Sequence, residues 1–302
     1  MGDVSGAEAR AVLTAAIALK SGELRPDLTG RSLVLLLEKP SLRTRVSFEL
    51  GMRRMGGQSL SMLPQEVGLG GREPAADVAQ VLSRYADVIA ARVNAHRTLE
   101  ELAATASVPV INALSDLEHP CQTLADLQTI LERLGGLQGV TVCFIGDGNN
   151  VAASLAIGCA LVGARFRIAS PAGYELPDGV VSRAGAIAAA EGGIAPELLT
   201  DPRDAVTGAD VVYTDVWASM GQEEERDRRA RDFQGYTVTP QLMELARPES
   251  VFMHDLPAHR GEEVSDDMLE HPRSIVFDQA ENRLHAQAAL IAMLLGALPR
   301  PG

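Results

Sequence analysis

The segment Glu38-Lys39-Pro40-Ser41-Leu42-Arg43-Thr44-Arg45 sets hydroxyl side chains and guanidinium groups directly after an apolar run. Pro40 ends that run as a strand, because it has no N–H to give a ladder. Ser41 is then placed to cap a following helix. A helix that starts where a strand stops presents free backbone N–H groups and the positive end of its dipole, and so attracts an anion. Ser41 and Thr44 add hydroxyl donors, and Arg43 and Arg45 add planar forks that match phosphate oxygens. The same residues also suit an ordinary cap flanked by two solvated arginines. Arg92 closes a second apolar run. Past the end of a third, His119 and Gln122 stand one turn apart, where both can face one ligand or where His119 is a structural partner. Asp215 opens Asp215-Val216-Trp217-Ala218-Ser219-Met220-Gly221-Gln222-Glu223. That stretch offers a carboxylate to a cationic group, and a hydroxyl and backbone groups to an anionic one; alternatively Asp215 caps the next helix.

These residues need elements to hold them. The run 31–37 is continuously apolar, as strands buried in parallel sheets are. Val46, Phe48, Leu50, Met52 and Met55 give the helix after Ser41 its apolar positions. Ala-rich residues 6–20 form a helix ahead of both. A Gly- and Pro-punctuated loop over 63–74 carries Arg72 and is too long for a simple connection, so it is either functional or a solvated surface loop. Helix 75–86 leads to strand 88–91, helix 98–106 to strand 108–113, and His119 opens a helix to 134. Gly135-Gly136-Leu137-Gln138-Gly139 is the best domain boundary. Beyond it come strand 141–145, helix 151–162, and strands near 166–169, 211–214 and 250–253. A charge-rich helix over 224–232 is expected to be a solvated face, and a last helix runs from 276 to about 295. Alternating strands and helices predict an α/β chain of two doubly wound parallel-sheet domains, with ligands beyond the strand C-termini in the cleft between them. Gly146-Asp147-Gly148-Asn149-Asn150 resembles a degenerate nucleotide turn, but it lacks the G-x-G-x-x-G spacing and no acid closes the next strand.

Bulk properties narrow the partners. A chain of 302 residues with 46% hydrophobic and 22% charged residues has the composition of a globular protein. A net charge of −13 argues against nucleic acid. Cys121, Cys143 and Cys159 have no metal-ligand spacing, and their odd number suits a reducing cytoplasm. No signal-peptide pattern and no apolar run of about 18 residues occurs, so a cytoplasmic protein without a membrane partner is expected.

Ser41-Leu42-Arg43-Thr44-Arg45 resembles the Ser-Thr-Arg-Thr-Arg carbamoyl-phosphate signature of the aspartate and ornithine carbamoyltransferases, with Leu42 at the second position. His119-Pro120-Cys121-Gln122-Thr123-Leu124-Ala125-Asp126-Leu127 is similar to the second signature of that family. The segment from Asp215 to Glu223 is similar to that of its ornithine branch. His254-Asp255-Leu256-Pro257-Ala258 is similar to the family's His-Cys-Leu-Pro-Ala, with Asp255 in place of Cys. The resemblance implies a carbamoyl-phosphate domain over 1–135, completed by a terminal helix over 281–302, and an amino-acid domain over 136–280. It implies a carbamoyl-phosphate site of Ser41, Leu42 (through its backbone), Arg43, Thr44, Arg92, His119, Gln122, Leu256 and Arg283, with Arg72 from a neighbouring subunit. It implies an ornithine site of Asn150, Asp215, Ser219, Met220, Asp255 and Leu256. Arg43, Arg92, His119 and Asp255 would be the catalytic set. The implied reaction joins carbamoyl phosphate and ornithine, needs no metal or other cofactor, and runs in a homotrimer or a multiple of trimers. Asp255 leaves open a different amine acceptor, and a catalytically silent binding or assembly subunit is the remaining alternative.

Overall fold

The computed structural model describes residues 1–63, 66, 68, 73–218 and 223–299. The chain divides into two compact units. The first comprises Asp3–Gln128 with Glu281–Gly302, and the second Thr129–Ala280.

The first unit contains α1 (Gly6–Ser21), β1 (Ser32–Leu37), α2 (Leu42–Arg54), β2 (Gln58–Met62), α3 (Ala75–Leu82), β3 (Val88–Arg92), α4 (His96–Thr105), β4 (Val110–Leu114) and most of α5 (Pro120–Leu134). Its strands form a parallel sheet in the order β2-β1-β3-β4. Leu33 to Leu37 of β1 are all buried, which is why that strand reads as unbroken apolar sequence. Burying each such side chain contributes about 1.5–3 kcal/mol relative to exposure. One face of the sheet packs Val34, Leu36, Ile89 and Ala91 against Ala75, Ala79, Leu99 and Leu102 of α3 and α4.

The second unit runs β5 (Thr141–Ile145), α6 (Asn150–Val162), β6 (Arg165–Ala169), α7 (Asp178–Ala190), β7 (Glu197–Leu199), α8 (Pro202–Val206), β8 (Val211–Thr214), α9 (Arg226–Asp232), α10 (Pro240–Met243) and β9 (Val251–His254). It is again parallel, in the order β7-β6-β5-β8-β9. The last helix, α11 (Val276–Leu294), starts in the second unit and belongs to the first from Glu281 onward. Both units are doubly wound, as the alternating pattern predicts.

Differences from the sequence reading have local causes. β4 starts at Val110 rather than 108, because Pro109 cannot donate to the ladder, although its carbonyl accepts from Ile89 N at 3.0 Å. α3 stops at Leu82, and the Ser83 hydroxyl bonds back to Ala79 O at 2.7 Å. The charge-rich helix is not wholly solvated. Arg229 of α9 is buried, held by Asp147 at 2.6 Å, Glu225 at 2.9 Å and Trp217 O at 2.8 Å. A buried guanidinium is tolerable only with such partners.

Candidate active site

In the first unit the order β2-β1-β3-β4 reverses between β1 and β3, where open α/β sheets place their ligands. Leu37 and Arg92, the last residues of those strands, are register partners. The next residue, Glu38, ties the strand ends together, its N–H reaching Arg92 O at 2.8 Å and its carboxylate accepting from Asn94 N at 2.6 Å. Ser41 then caps α2: its hydroxyl accepts from Thr44 N at 3.3 Å and donates to Thr44 Oγ1 at 3.0 Å. No acidic residue lies in the first turn of α2, so the positive end of its dipole is left for a ligand.

Buried polar side chains gather at this end. Thr44, Arg92, His119, Gln122 and Arg283 are each no more than 6% exposed. Arg283 donates to Gln122 Oε1 at 2.6 Å and reaches Thr44 Oγ1 at 3.4 Å. Gln122 in turn donates from Nε2 to Asp126 Oδ1 at 2.8 Å, which fixes which end of its amide faces Arg283. Burial pushes the His119 pKa well below its ordinary value, and the positive charges of Arg283, Arg92 and Arg43 push the same way. A neutral imidazole that can donate one hydrogen bond is the result. Leu42 has its side chain 78% exposed, so only its backbone N–H can serve the site. Arg45 pairs with Glu49 one turn on, at 2.9 Å, instead of adding a second fork.

In the second unit the order reverses between β5 and β8. Thr214 and His254 end β8 and β9 as register partners, so Asp215 and Asp255 leave neighbouring strand ends side by side. Asp215 Oδ2 accepts from Asn149 Nδ2 at 2.7 Å, and Oδ1 from Val216 N at 2.7 Å. Asn149 is also the cap of α6, accepting from Val151 N at 2.9 Å and Ala152 N at 3.1 Å. The glycine before it serves packing, since a Cβ on Gly148 would sit 2.4 Å from Leu176 N. Burial, and next the charge of Asp255, hold the Asp215 carboxyl well above the usual carboxylate range.

His254 is enclosed. Its Nε2 faces Glu263 Oε1 at 3.2 Å, and its Nδ1 accepts from Leu256 N at 2.9 Å and lies 3.4 Å from Asp255 Oδ1. Burial works against charging it, but Asp255, Glu263 and Asp215 outweigh burial and raise its pKa to about 9. Leu256 stands at φ 58°, a left-handed conformation that a leucine adopts only when its surroundings hold it. Donor atoms of Asp215, His254 and Asp255 lie within 4.8 Å of one another, as do those of His259, Glu262 and Glu263. In the first trio His254 Nδ1 is already met by Leu256 N at 2.9 Å.

Of the residues singled out in the sequence, the structure brings Ser41, Thr44, Gln122 and Arg283 together by direct hydrogen bonds, with His119 in the field of Arg43, Arg92 and Arg283. It brings Asp215 and Asp255 together with His254. Asn150 is the first residue of α6. Arg72, Ser219 and Met220 lie outside the described residues. Asn149, Asp126 and Glu263 are partners that sequence reasoning missed. Asn149 carried a signal, since Asn before an apolar helix is a cap, whereas the other two gain their roles only through folding.

A parallel α/β chain with an electropositive helix N-terminus at one switch point and paired carboxylates at another is built to bind an anionic and a cationic small molecule. Residues 1–132 match the model of the aspartate/ornithine carbamoyltransferase carbamoyl-P binding domain, and residues 138–294 that of the Asp/Orn binding domain. The chain belongs to the aspartate/ornithine carbamoyltransferase family. It is 52% identical over 296 residues to an ornithine carbamoyltransferase of Parasynechococcus marenigrum, covering 98% of this chain and 92% of the relative. It is 52% identical over 279 residues to an anabolic ornithine carbamoyltransferase of Pyrococcus furiosus, covering 92% and 88%. The solved structure of ornithine carbamoyltransferase from Pyrococcus furiosus superposes with a TM-score of 0.94 at 49% identity, covering 99% of this chain and 96% of that one.

Proposed function

We propose that this chain is an ornithine carbamoyltransferase, converting carbamoyl phosphate and L-ornithine into L-citrulline and phosphate within arginine metabolism. The observation that carries the reading is the buried Thr44–Gln122–Arg283 network with Arg92 and His119 at the open N-terminus of α2.

The carbamoyl-phosphate domain, 1–135 with the terminal helix over 281–302, holds carbamoyl phosphate. Backbone N–H groups of the first turn of α2, the Ser41 and Thr44 hydroxyls and Arg43 take the phosphoryl oxygens. Arg92, Thr44 and His119 point hydrogen bonds at the carbonyl oxygen, where negative charge develops as the carbon becomes tetrahedral. Each such prealigned donor is worth about 3–4 kcal/mol in the transition state. A neutral His119 serves as donor without adding a further cation to three arginines. Gln122 orients the carbamoyl NH2, and Arg283 holds Gln122 in place.

The amino-acid domain, 136–280, holds the second substrate. Asp215 receives the α-ammonium, and Asn150, Ser219 and Met220 complete the contacts. The δ-nitrogen, once deprotonated from a state whose ordinary pKa is near 10.4, attacks the carbamoyl carbon. The carbon–oxygen bond to phosphate breaks, and the departing phosphate takes up the amine's proton. Holding the reactants in line supplies much of the remaining acceleration.

Leu42, Val46 and Leu50 lie one turn apart along α2 and are 78%, 42% and 40% exposed, and Leu60 on the edge strand β2 is 60% exposed. An apolar stripe of this kind supports contact with further copies of the chain, in a trimer to which Arg72 contributes across the interface. The deciding assay mixes the protein with carbamoyl phosphate and a panel of amines (ornithine, lysine, putrescine, aspartate) and follows the ureido product. Citrulline formation with ornithine preferred is expected. Turnover of another amine in preference, or of none, would overturn the assignment.

A further inference from the structure

Asp255 sets a second carboxylate beside Asp215, and the surroundings of the two give that pairing a definite chemical meaning. Thr214 and His254 pair across β8 and β9, so the residues that follow them project from adjacent strand ends. Asp215 is 94% buried at 6% exposure, and atoms of Asp215, Asp255 and His254 converge within 4.8 Å.

The charges facing this group come from several elements. Asn149, from the turn before α6, gives Asp215 a neutral amide donor, and Val216 gives it a backbone N–H. His254 of β9 lies 3.4 Å from Asp255, backed by the fully buried Glu263. Arg229 of α9 meets the 146–150 turn through Asp147, and its charge is already matched by Asp147 and Glu225. Around the trio, among the described residues, the second unit thus supplies three carboxylates, one imidazole and no uncommitted guanidinium. Two carboxylates that converge in a largely buried site disfavour joint ionisation, and a proton bound there titrates with the pair rather than with one member.

We propose that Asp215 and Asp255 share one proton in the ligand-free enzyme and release it to solvent when the α-ammonium of the amino-acid substrate binds. The step balances simply: the carboxyl–carboxylate pair with its proton, plus an ammonium ion, gives two carboxylates facing that ammonium and one proton in bulk water. The proposal rests on the acceptor reading above and deepens it. Asp255 would make amino-acid binding proton-linked, so affinity would rise about tenfold per pH unit until the pair ionises unaided. The direction of the Asp215 shift agrees, since its carboxyl is held above its ordinary range by burial and then by Asp255.

Two measurements test this on the full-length enzyme. The first is infrared difference spectroscopy of the ligand-free protein at pH 7, parent against Asp255→Asn. A protonated-carboxyl band in the parent that is missing from Asp255→Asn is expected, and absence of that band in the parent overturns the shared proton whatever the enzyme binds. The second is titration calorimetry with L-norvaline, which has the α-ammonium but no δ-amine, on enzyme saturated with a phosphonate analogue of carbamoyl phosphate. Repeating it in buffers of different ionisation enthalpy counts the protons exchanged. About one proton released by the parent and almost none by Asp255→Asn or Asp255→Cys is expected. Norvaline binding without proton release in the parent, or with the same release in the variants, overturns the linkage. No norvaline or ornithine binding at all would defeat the acceptor reading and the release step with it, while the infrared band would still decide the shared proton.

Discussion

Arg283 reaches back across the first unit to Gln122, donating to its Oε1 at 2.6 Å, with Thr44 at 3.4 Å from the same guanidinium. A residue near the end of the chain therefore positions two groups drawn from separate motifs. The planar fork does what a point charge cannot, serving an amide oxygen and a hydroxyl together.

Arg283→Gln removes a charge-assisted, buried hydrogen bond and leaves the Gln122 oxygen without its donor. Binding of a phosphonate analogue should weaken by about 1.5–3 kcal/mol, roughly 10–150-fold. Arg43→Ala should weaken it to a similar degree through direct loss of a phosphate contact. Calorimetry reads both; unchanged affinity in either variant would remove that residue from the site.

His119 is expected to affect stability with a definite sign. Its folded pKa lies well below the ordinary 6.5 because it is buried and then because Arg283, Arg92 and Arg43 surround it. The unfolded chain therefore binds a proton that the folded one refuses. Stability is fully present above pH 6.5 and falls as pH drops below it. Denaturant titrations from pH 7.5 to 5 should show that loss in the parent and a smaller one in His119→Asn. Parallel curves would contradict a neutral buried imidazole.

How much of this was legible beforehand depends on where each signal lives. β1 announced itself because every residue from Leu33 to Leu37 is apolar and buried, and the cap at Ser41 because strand, proline and hydroxyl are consecutive. β2, Gln58-Ser59-Leu60-Ser61-Met62, went unread: an edge strand needs no apolar run, and its polar residues look like loop. β7 is only Glu197–Leu199, too short to carry a pattern. The buried role of Arg229 was hidden because its partner Asp147 lies far back in the sequence, so a helix dense in charge resembled a solvated one. The pairing of Asp215 with Asp255 likewise exists only through strand register.

Asp255→Cys should move the working pH downward. In the parent, carboxylates near the incoming amine favour its ammonium form, by about 1.4 kcal/mol for each unit of pKa. Only the neutral amine is a nucleophile, so kcat/KM for ornithine should climb to a more alkaline plateau in the parent than in the variant. Superimposable pH profiles with the same amine preference would show that Asp255 has no influence on the acceptor.

The exposed stripe on α2 gives a test of assembly. Val46→Glu with Leu50→Glu should dissociate the oligomer, as read by light scattering, because carboxylates cannot be buried unpaired in a subunit contact. Mixing Arg72→Ala with Arg43→Ala protein under subunit exchange should then restore part of the activity, since some sites would regain both arginines. Exchange without recovery would place Arg72 in its own subunit's site.

The strand that leads into Ser41 and α2 governs timing more than energy. β1 is hydrogen-bonded on both sides, to β2 and β3, and buried through its length. Amides so placed open only when the whole unit does, and exchange with solvent among the slowest. Arg92 ends the strand paired with β1, and Thr44 lies in the first turn of the helix that follows β1, so both stand directly beside this slow-opening strand. An arriving anion would find its donors already standing and would lose little freedom of the protein in ordering them. Motion during turnover would then belong to loops and side chains above this floor, and an enzyme so built can release product by relaxing those alone.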